Sequence, residues 1–167
     1  WRKEVRQLVD VARANDFSIT DLQKSRDLSW TSFAEFLPAA GTTTKEEAHK
    51  QLAESLEDTI YALDNGEDTT KVTSTAKDRL RNFRREIQLR GYLYWHQWAT
   101  IGKLGVGAKS REIVEPLQTF AWTHQELPAF QQDIRQFIAG LFDTAVSALH
   151  EYDEYKKRRG LIDYTDM

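Results

Sequence analysis

Apolar side chains recur at helical spacing along most of the chain. Val5, Leu8 and Ala12 lie three or four positions apart, as on one face of an α-helix. The same spacing returns in three later stretches, which contain Leu52, Leu56, Ile60 and Leu63; Leu80, Phe83 and Ile87; and Phe130, Ile134, Phe137, Ile138, Leu141, Ala145, Leu149 and Tyr152. Only the final LIDYTDM starts in the manner of an extended segment. The pattern therefore predicts an all-α fold.

Residues that start or stop helices divide this pattern into about six helices. The first helix is predicted to end near Asn15, and Ser18 suits the N-cap of a second helix that Pro38 ends. The third helix opens with a capping box, for which the sequence offers two pairs: Thr43 with Glu46, or Thr44 with Glu47.

Boundary residues also mark the second half of the chain. Gly91 suits the C-cap of a fourth helix, and the segment YLYWHQWATIGKLGVGAKS after it predicts a short helix followed by a glycine-rich loop. Ser110 is predicted to cap a helix that reaches about residue 126, with Pro116 either in its first turns or kinking it. Pro128 suits the first turn of a long last helix that Gly160 ends. The result is a helical bundle whose two ends we expect to lie close together, as in a domain inserted into another.

The composition is that of a globular protein with an uneven charge distribution. Of the 167 residues, 40% are apolar and 29% are charged, which fits one domain with a buried core. The absence of cysteine excludes disulfides and thiolate metal sites. Residues 71–111 carry ten lysines and arginines against two acidic residues, whereas the stretches on either side are acidic. This basic middle indicates an anionic partner for that part of the chain.

The sequence carries no recognisable catalytic or metal-binding motif. GKLGVGAKS has glycines, a lysine and a serine, but not at the spacing of a phosphate-binding loop. No nucleophile is paired with a base in a known motif, and no apolar run is long enough to span a membrane. The chain has four histidines, and none of them has the spacing of metal ligands: His49, His96, His124 and His150. We therefore expect no catalysis, metal or cofactor in this chain, and no membrane partner.

Cations and aromatic residues are interleaved in the basic middle of the chain. This combination suits nucleic acid, because phosphates pair with cations and bases stack on rings. The candidate phosphate contacts are Lys77, Arg81, Arg84, Arg85, Lys103, Lys109 and Arg111. The candidate stacking residues are Trp95 and Trp98, although tryptophans three residues apart can equally belong to a core and an arginine run can be a solvated face. No base-reading motif is present, so the predicted contacts are to the backbone and are not sequence-specific.

The C-terminal segment YDEYKKRRGLIDYTDM resembles part of the UvrD/RecB-type superfamily-one DNA helicases, in their AddA/RecB-like branch. In that family an inserted helical subdomain, called 1B, rejoins the first motor domain through a hydrophobic-Asp-aromatic-x-Asp-hydrophobic run. The matching positions here are Tyr152, Tyr155, Lys156, Ile162, Asp163, Tyr164, Asp166 and Met167. The family more often has Phe in place of Tyr164 and an acidic residue in place of Thr165. The segments WRKEVRQLVDVARANDFS and YLYWHQWATIGKLGVGAKS are more loosely similar to the same insertion.

The resemblance implies that residues 1–160 are the inserted subdomain and that residues 161–167 begin the return to the motor domain. Asp163, Tyr164 and Asp166 would then have a structural role in the rejoining motif. ATP and Mg²⁺ would be bound by the flanking motor domains, whose motifs are absent from this chain. Because the chain also opens on Trp1 rather than on methionine, we expect it to be a piece of a larger protein.

The resemblance also implies a function. The chain would contact DNA beside the motor of an ATP-dependent 3′–5′ helicase in the bacterial cytoplasm, in DNA repair or recombination, with no enzymatic activity of its own. A nuclease domain elsewhere in the parent protein, and a second helicase or nuclease subunit as partner, are compatible with the resemblance. The alternative from a different class is a protein–protein interaction module, in which the aromatic segment anchors a partner subunit.

Overall fold

The computed structural model describes residues 1–161 as helices joined by short connections. In chain order the α-helices are α1 (Arg2–Ala14), α2 (Ile19–Ala34), α3 (Lys45–Asp64), α4 (Lys71–Arg90), α5 (Trp95–Gly102), α6 (Arg111–Trp122) and α7 (Pro128–Arg159). Two 3-10 turns, Ala108–Ser110 and Thr123–Glu126, flank α6. Residues 1–161 form no strand, so the all-α prediction is confirmed, with seven α-helices where about six were expected.

The helices form two compact units, each with its own buried core. Residues 1–37 and 132–161 belong to one, here called the terminal unit, and Pro38–Gln131 form the other, the central unit. The sequence predicts one subdomain over residues 1–160 and no boundary inside it. The boundary is hidden because the apolar stripe of α7 continues across it, with Phe130 packed on the core of the central unit and Phe142 in that of the terminal unit.

The central unit is organised around α3. Leu52, Leu56 and Leu63 are all but completely buried, which removes an apolar stripe of α3 from water. Helices α4 and α6 both pack on α3, and α5 packs on α6. From α4, Ala76 and Leu80 join this core. The burial of that one stripe determines which of the other α4 side chains face outward.

In the terminal unit, α2 and α7 run antiparallel. Arg26 of α2 lies 3.3 Å from Asp143 of α7, and one turn further along α2 the Trp30 ring lies under Arg135, with 5.8 Å from the guanidinium carbon to the ring centroid. Residue numbers rise on one helix as they fall on the other, which defines antiparallel packing. The core cluster of this unit consists of Ala12, Leu22 and Phe142. It is much smaller than the core of the central unit, which therefore holds most of the buried apolar surface.

The predicted helix ends are confirmed where side chains cap them. Ser18 Oγ accepts the Asp21 N–H at 3.2 Å, and Asp21 accepts the Ser18 N–H at 3.1 Å. Of the two capping boxes that the sequence offers for α3, the structure contains Thr44 with Glu47. Gly91 ends α4 with a φ of +79°, a left-handed conformation that favours glycine.

The helix predicted from Ser110 to about residue 126 is shorter than expected. Its α-helical part is α6, which has a 3-10 turn on each side and contains Pro116 within it. Ser110 is the N-cap residue of α6, as predicted, but its hydroxyl forms no capping hydrogen bond and donates to Asp68 Oδ2 at 2.9 Å. Its side chain therefore points to Asp68 and accepts no N–H of the first turn of α6. Pro128 is the first residue of α7, as predicted.

The buried carboxylate of Asp68 joins three parts of the central unit. Its Oδ1 accepts the Thr70 N–H at 3.0 Å, and its Oδ2 accepts the hydroxyls of Thr73 and Ser110 at 2.9 Å each. Thr73 Oγ1 accepts the Gly107 N–H at 2.9 Å. These bonds, the Thr70 N–H foremost, hold the pKa of Asp68 well below its usual value, so the carboxylate stays ionised. The loop before α4, the first turn of α4 and the turn before α6 are thereby tied together.

Replacing Gly107 with alanine tests this junction. An added Cβ would collide with Asp68 Oδ2 and would lie 2.8 Å from Thr70 Oγ1. Because Asp68 can move aside only by losing its hydrogen bonds, Gly107→Ala should lower the free energy of unfolding by about 1–3 kcal/mol. Gly105→Ala is the matched control, since no atom lies within 4 Å of its added Cβ and its φ is not positive. Urea unfolding of both variants measures the difference, and equal stability would contradict the role of the junction.

The C-terminal end of the chain, whose closeness to the N-terminal end is predicted from the sequence, consists of residues 162–167. Those residues lie outside the described part of the chain, so this closeness stays a prediction. The same holds for the structural roles assigned to Asp163, Tyr164 and Asp166.

Candidate nucleic-acid interface

The cations of α4 are distributed by the burial of its apolar stripe. Each residue of an α-helix is rotated by about 100° from the one before it. With Leu80 at the centre of the buried face, Arg81, Arg84 and Arg85 fall on one flank of α4, and Arg79 falls on the opposite flank. The structure thus places three of the predicted arginines on one side of one helix.

Asp64, the last residue of α3, neutralises two of the predicted cations. Arg81 Nη2 donates to both Asp64 carboxylate oxygens, at 2.8 and 3.0 Å, and Lys77 Nζ lies 3.5 Å from Oδ1. The pKa of Asp64 is lowered, chiefly by the hydrogen bond from Arg81, so the carboxylate stays charged. A phosphate would have to compete with Asp64 for Lys77 and Arg81, which makes both poorer candidates than the sequence indicates.

Arg84 and Arg85 have no such partner. Arg84 is half-buried and Arg85 is exposed, on the turn of α4 that follows Arg81. Within residues 1–161, neither guanidinium forms an ion pair or a hydrogen bond. A guanidinium with unused donors can bind a phosphate through two parallel hydrogen bonds. These two arginines are therefore the predicted cations best placed to bind an external anion.

The other three predicted cations lie in the loop after α5 and at the start of α6. Lys103 Nζ lies 5.5 Å from the centroid of the Trp122 ring, and Lys109 Nζ lies 3.9 Å from Glu67. Arg111 is exposed and has no ionic partner in the described part of the chain. Because the Lys109 pair is long and exposed at both ends, it leaves the lysine available to other anions.

These loop cations are held at a different end of α4 from Arg84 and Arg85. The hydrogen bond from Gly107 to Thr73 fixes the loop against the first turn of α4. Thr73 and Arg84 are eleven residues apart, which is about 17 Å along the helix axis. The structure therefore does not join the seven predicted cations into one patch.

Trp98 is wrong as a stacking candidate. Its side chain is 0% exposed, and it packs edge-on against the buried His49 ring with 5.3 Å between centroids, so no base can reach it. Trp95 is half-buried, with Phe130 edge-on at 5.5 Å and Lys45 Nζ at 5.1 Å from its ring centroid. The core interpretation of these tryptophans, which the sequence leaves open, is correct for Trp98.

The exposed rings of this segment belong to tyrosines that the site prediction leaves out. Tyr92 and Tyr94 are 39% and 49% exposed, whereas Leu93 between them is 1% exposed. The Leu93 carbonyl oxygen lies 3.1 Å from His49 Nε2, so this residue packs against α3. Alternating exposure of this kind is typical of extended backbone, so an inward Leu93 turns both tyrosines outward. In the sequence, the signal for this surface is the alternation of tyrosine and leucine in the non-helical segment GYLY.

Comparison of the chain with protein-family models, with curated proteins and with solved structures found no match. The resemblance of the C-terminal segment to the UvrD/RecB-type helicases therefore stays a prediction. Among residues 1–161, no group of three or more histidines and carboxylates is placed to hold a metal ion. No helix in that range is both long enough and apolar enough to cross a membrane.

Truncation of Trp98 should measure its structural role. Trp98→Ala should lower the free energy of unfolding by about 3–5 kcal/mol, because it leaves a cavity in the core of the central unit. Tyr61→Ala, which removes a ring that is 74% exposed on α3, is the matched control and should stay within about 0.5 kcal/mol of the wild type. Denaturant unfolding compares the two, and a Trp98→Ala variant as stable as Tyr61→Ala would contradict the burial.

His124 gives the central unit a pH-dependent contribution to stability. Its buried ring lies between Trp95, stacked at 6.4 Å, and Phe130, edge-on at 5.0 Å, and its Nδ1 lies 2.7 Å from the Ala121 carbonyl oxygen. Burial lowers the pKa of His124, against the opposing effect of the Ala121 hydrogen bond. An unfolded histidine has a pKa of about 6.5, so the unfolded state binds more protons than the folded state just below that pH. The stabilisation is therefore full above that pH and is lost as the pH falls through the folded-state pKa.

We accordingly predict that His124→Phe flattens the pH profile of stability. Between about pH 7.5 and pH 5, the free energy of unfolding of the wild type should fall by more than that of the variant, because the variant lacks the imidazole at position 124 whose pKa burial lowers. Unfolding curves at several pH values give the two slopes. His150→Phe, at an exposed position of α7, is the control and should keep the wild-type slope. Parallel profiles of the wild type and His124→Phe would contradict the prediction.

Proposed function

We propose that this chain is a DNA-contacting accessory subdomain of an ATP-dependent 3′–5′ DNA helicase of the UvrD/RecB type, acting in DNA repair or recombination. The chain performs no catalysis of its own and holds the DNA backbone beside motor domains that bind ATP and Mg²⁺. Those motor domains, and a second helicase or nuclease subunit, are its protein partners in the bacterial cytoplasm. A nuclease domain in the parent protein fits the same proposal.

The observation that carries the DNA-binding part of this proposal is the pair Arg84 and Arg85. They lie together on a strongly basic helix, and no carboxylate of residues 1–161 is paired with them. The whole basic stretch, residues 71–111, belongs to the central unit, so its cations are presented by one folded scaffold. The choice of a helicase among DNA-binding proteins is supported by the resemblance of residues 152–167 to the rejoining motif of that family, and the all-α fold agrees with an inserted helical subdomain.

The double variant Arg84→Ala/Arg85→Ala tests the proposed phosphate contacts. Each lost contact should reduce the slope of log K against log salt concentration by about 0.9 for duplex DNA, so the double variant should lose about two units of slope and bind every sequence more weakly. Fluorescence anisotropy with a labelled duplex between about 50 and 200 mM salt measures both quantities. Lys24→Ala, which removes an exposed cation of α2 outside the basic stretch, is the control and should bind like the wild type.

Two outcomes would count against different parts of the proposal. Unchanged affinity and slope in the double variant would reject Arg84 and Arg85 as phosphate contacts. A wild-type chain that shows no salt-dependent DNA binding at all would reject the DNA-contacting function.

Docking to a protein partner is the second candidate function, and exposed apolar side chains near α2 favour it. Leu28 and Phe36 are 66% and 85% exposed, and Ile19 and Phe33 are exposed as well. Apolar surface at such exposure is typical of interaction sites when it is extensive. In this alternative Trp98 cannot be the aromatic anchor of the interface, because its side chain is buried. The salt series separates the two functions, because apolar docking responds weakly to salt whereas phosphate contacts weaken steeply.

A further inference from the structure

We infer that Tyr92, Tyr94 and His96 form a row of exposed rings on which unpaired bases of a single-stranded nucleic acid stack. This inference rests on the proposed function, to which it adds a base-contacting surface beside the phosphate contacts.

The three rings are neighbours in space and are ordered along the chain. The Tyr92 and Tyr94 centroids are 5.5 Å apart with the rings perpendicular, and the Tyr94 and His96 centroids are 5.8 Å apart with the rings 13° from parallel. All three side chains are exposed. The pKa of Tyr92 is raised, chiefly by its interaction with the Tyr94 side chain. A base that covers Tyr94 or His96 would extend a stack that the protein has already begun.

Contacts with the core hold this row in place. Gln97 is buried, accepts the Tyr94 N–H at 2.8 Å and donates to Glu86 of α4 at 2.8 Å. One residue before Tyr94, the buried Leu93 packs against His49 of α3. The backbone that carries the rings is thus fixed to α3, α4 and α5. A fixed ring binds a base at a lower cost in conformational entropy than a mobile one.

Two cations lie at the edge of the row. The guanidinium carbon of Arg90 lies 5.8 Å from the Tyr94 centroid, and Lys45 Nζ lies 5.9 Å from the Tyr92 centroid. Both cations also line a surface cavity of about 280 Å³ together with Tyr92, and Glu46 is an acidic residue of that lining. Arg90 Nη1 lies 3.4 Å from Glu86, and because this contact is long and half of the Arg90 side chain is exposed, it holds the cation weakly. Cations beside exposed rings are the arrangement with which proteins hold single strands, since the cations follow the backbone and the rings take the bases.

The row selects unpaired bases over duplex DNA. In a duplex the base faces are covered by their neighbours, so only a single strand can offer them to Tyr94 and His96. On α4, Arg90 follows Arg84 and Arg85 by about 8–9 Å of helix rise, but the rotation of about 100° per residue places it on the opposite flank, near Arg79. The row of rings and the pair Arg84 and Arg85 are therefore separate contacts, and only a strand that passes around α4 reaches both.

The test compares three fluorescent single-stranded probes of about 12 nucleotides: oligothymidylate, oligouridylate and an abasic strand with the same number of phosphates. The full 167-residue chain is used, with the double variants Tyr92→Leu/Tyr94→Leu, which loses both rings, and Tyr92→Phe/Tyr94→Phe, which keeps them. Tyr61→Leu is the matched control, because Tyr61 is an exposed tyrosine outside the row.

We expect the wild type to bind oligothymidylate more tightly than the abasic strand. The leucine double variant should lose about 10- to 100-fold in affinity for oligothymidylate and nothing on the abasic strand, whereas the phenylalanine variant and Tyr61→Leu should match the wild type. An equal loss on oligouridylate would show that the row takes unpaired bases of DNA and RNA alike, and a loss on oligothymidylate alone would assign it to DNA.

The inference is overturned if the wild type binds the abasic strand as tightly as oligothymidylate, or if a folded leucine variant binds oligothymidylate like the wild type. In either case salt-dependent binding of the wild type would leave the proposed function intact. If the leucine variant does not fold, the inference is tested by the wild type alone, through its affinity for oligothymidylate compared with that for the abasic strand. A wild type that binds none of the probes and no duplex overturns the inference together with the proposed function.

Discussion

The packing of α4 on α3 is the constraint on which the central unit depends. Burying a large apolar side chain such as Leu80 or Leu56 is worth about 1.5–3 kcal/mol, whereas an exposed ion pair contributes about 0–1 kcal/mol. The rotation of α4 is therefore set by its apolar stripe, and its cations take the positions that this leaves. Charge pairing follows from the packing and does not determine it.

This constraint divides the cations of the basic helix into two groups. Lys77 and Arg81 face the end of α3, where Asp64 holds them, while Arg84 and Arg85 keep unused donors on the next turn. The same helix ends at Gly91, after which the backbone leaves helical geometry and presents two tyrosines to solvent. The proposed contacts to phosphates and to bases thus arise on adjacent parts of one scaffold, and neither requires a catalytic group.

Local features of the sequence are sufficient to predict most helices and their ends, because periodicity and caps act over a few residues. Ser18 and Pro128 are examples that the structure confirms. Choices between distant partners are not visible in the sequence. Ser110 binds Asp68, 42 residues away, and Trp98 turns into a core built by several helices. For the same reason, the spacing of the α4 arginines cannot say which of them is neutralised from α3, and a continuous apolar stripe on α7 conceals the boundary between the two units.

The most direct test follows the arginine side-chain Nε–H signals by NMR while single-stranded oligothymidylate is added to the chain. We predict that the signals of Arg84 and Arg85 shift with saturation, while the signal of Arg81 stays in place because Asp64 continues to hold its guanidinium. A titration in which Arg81 shifts and Arg84 and Arg85 do not would contradict the division of α4 into a neutralised part and a nucleic-acid-binding part.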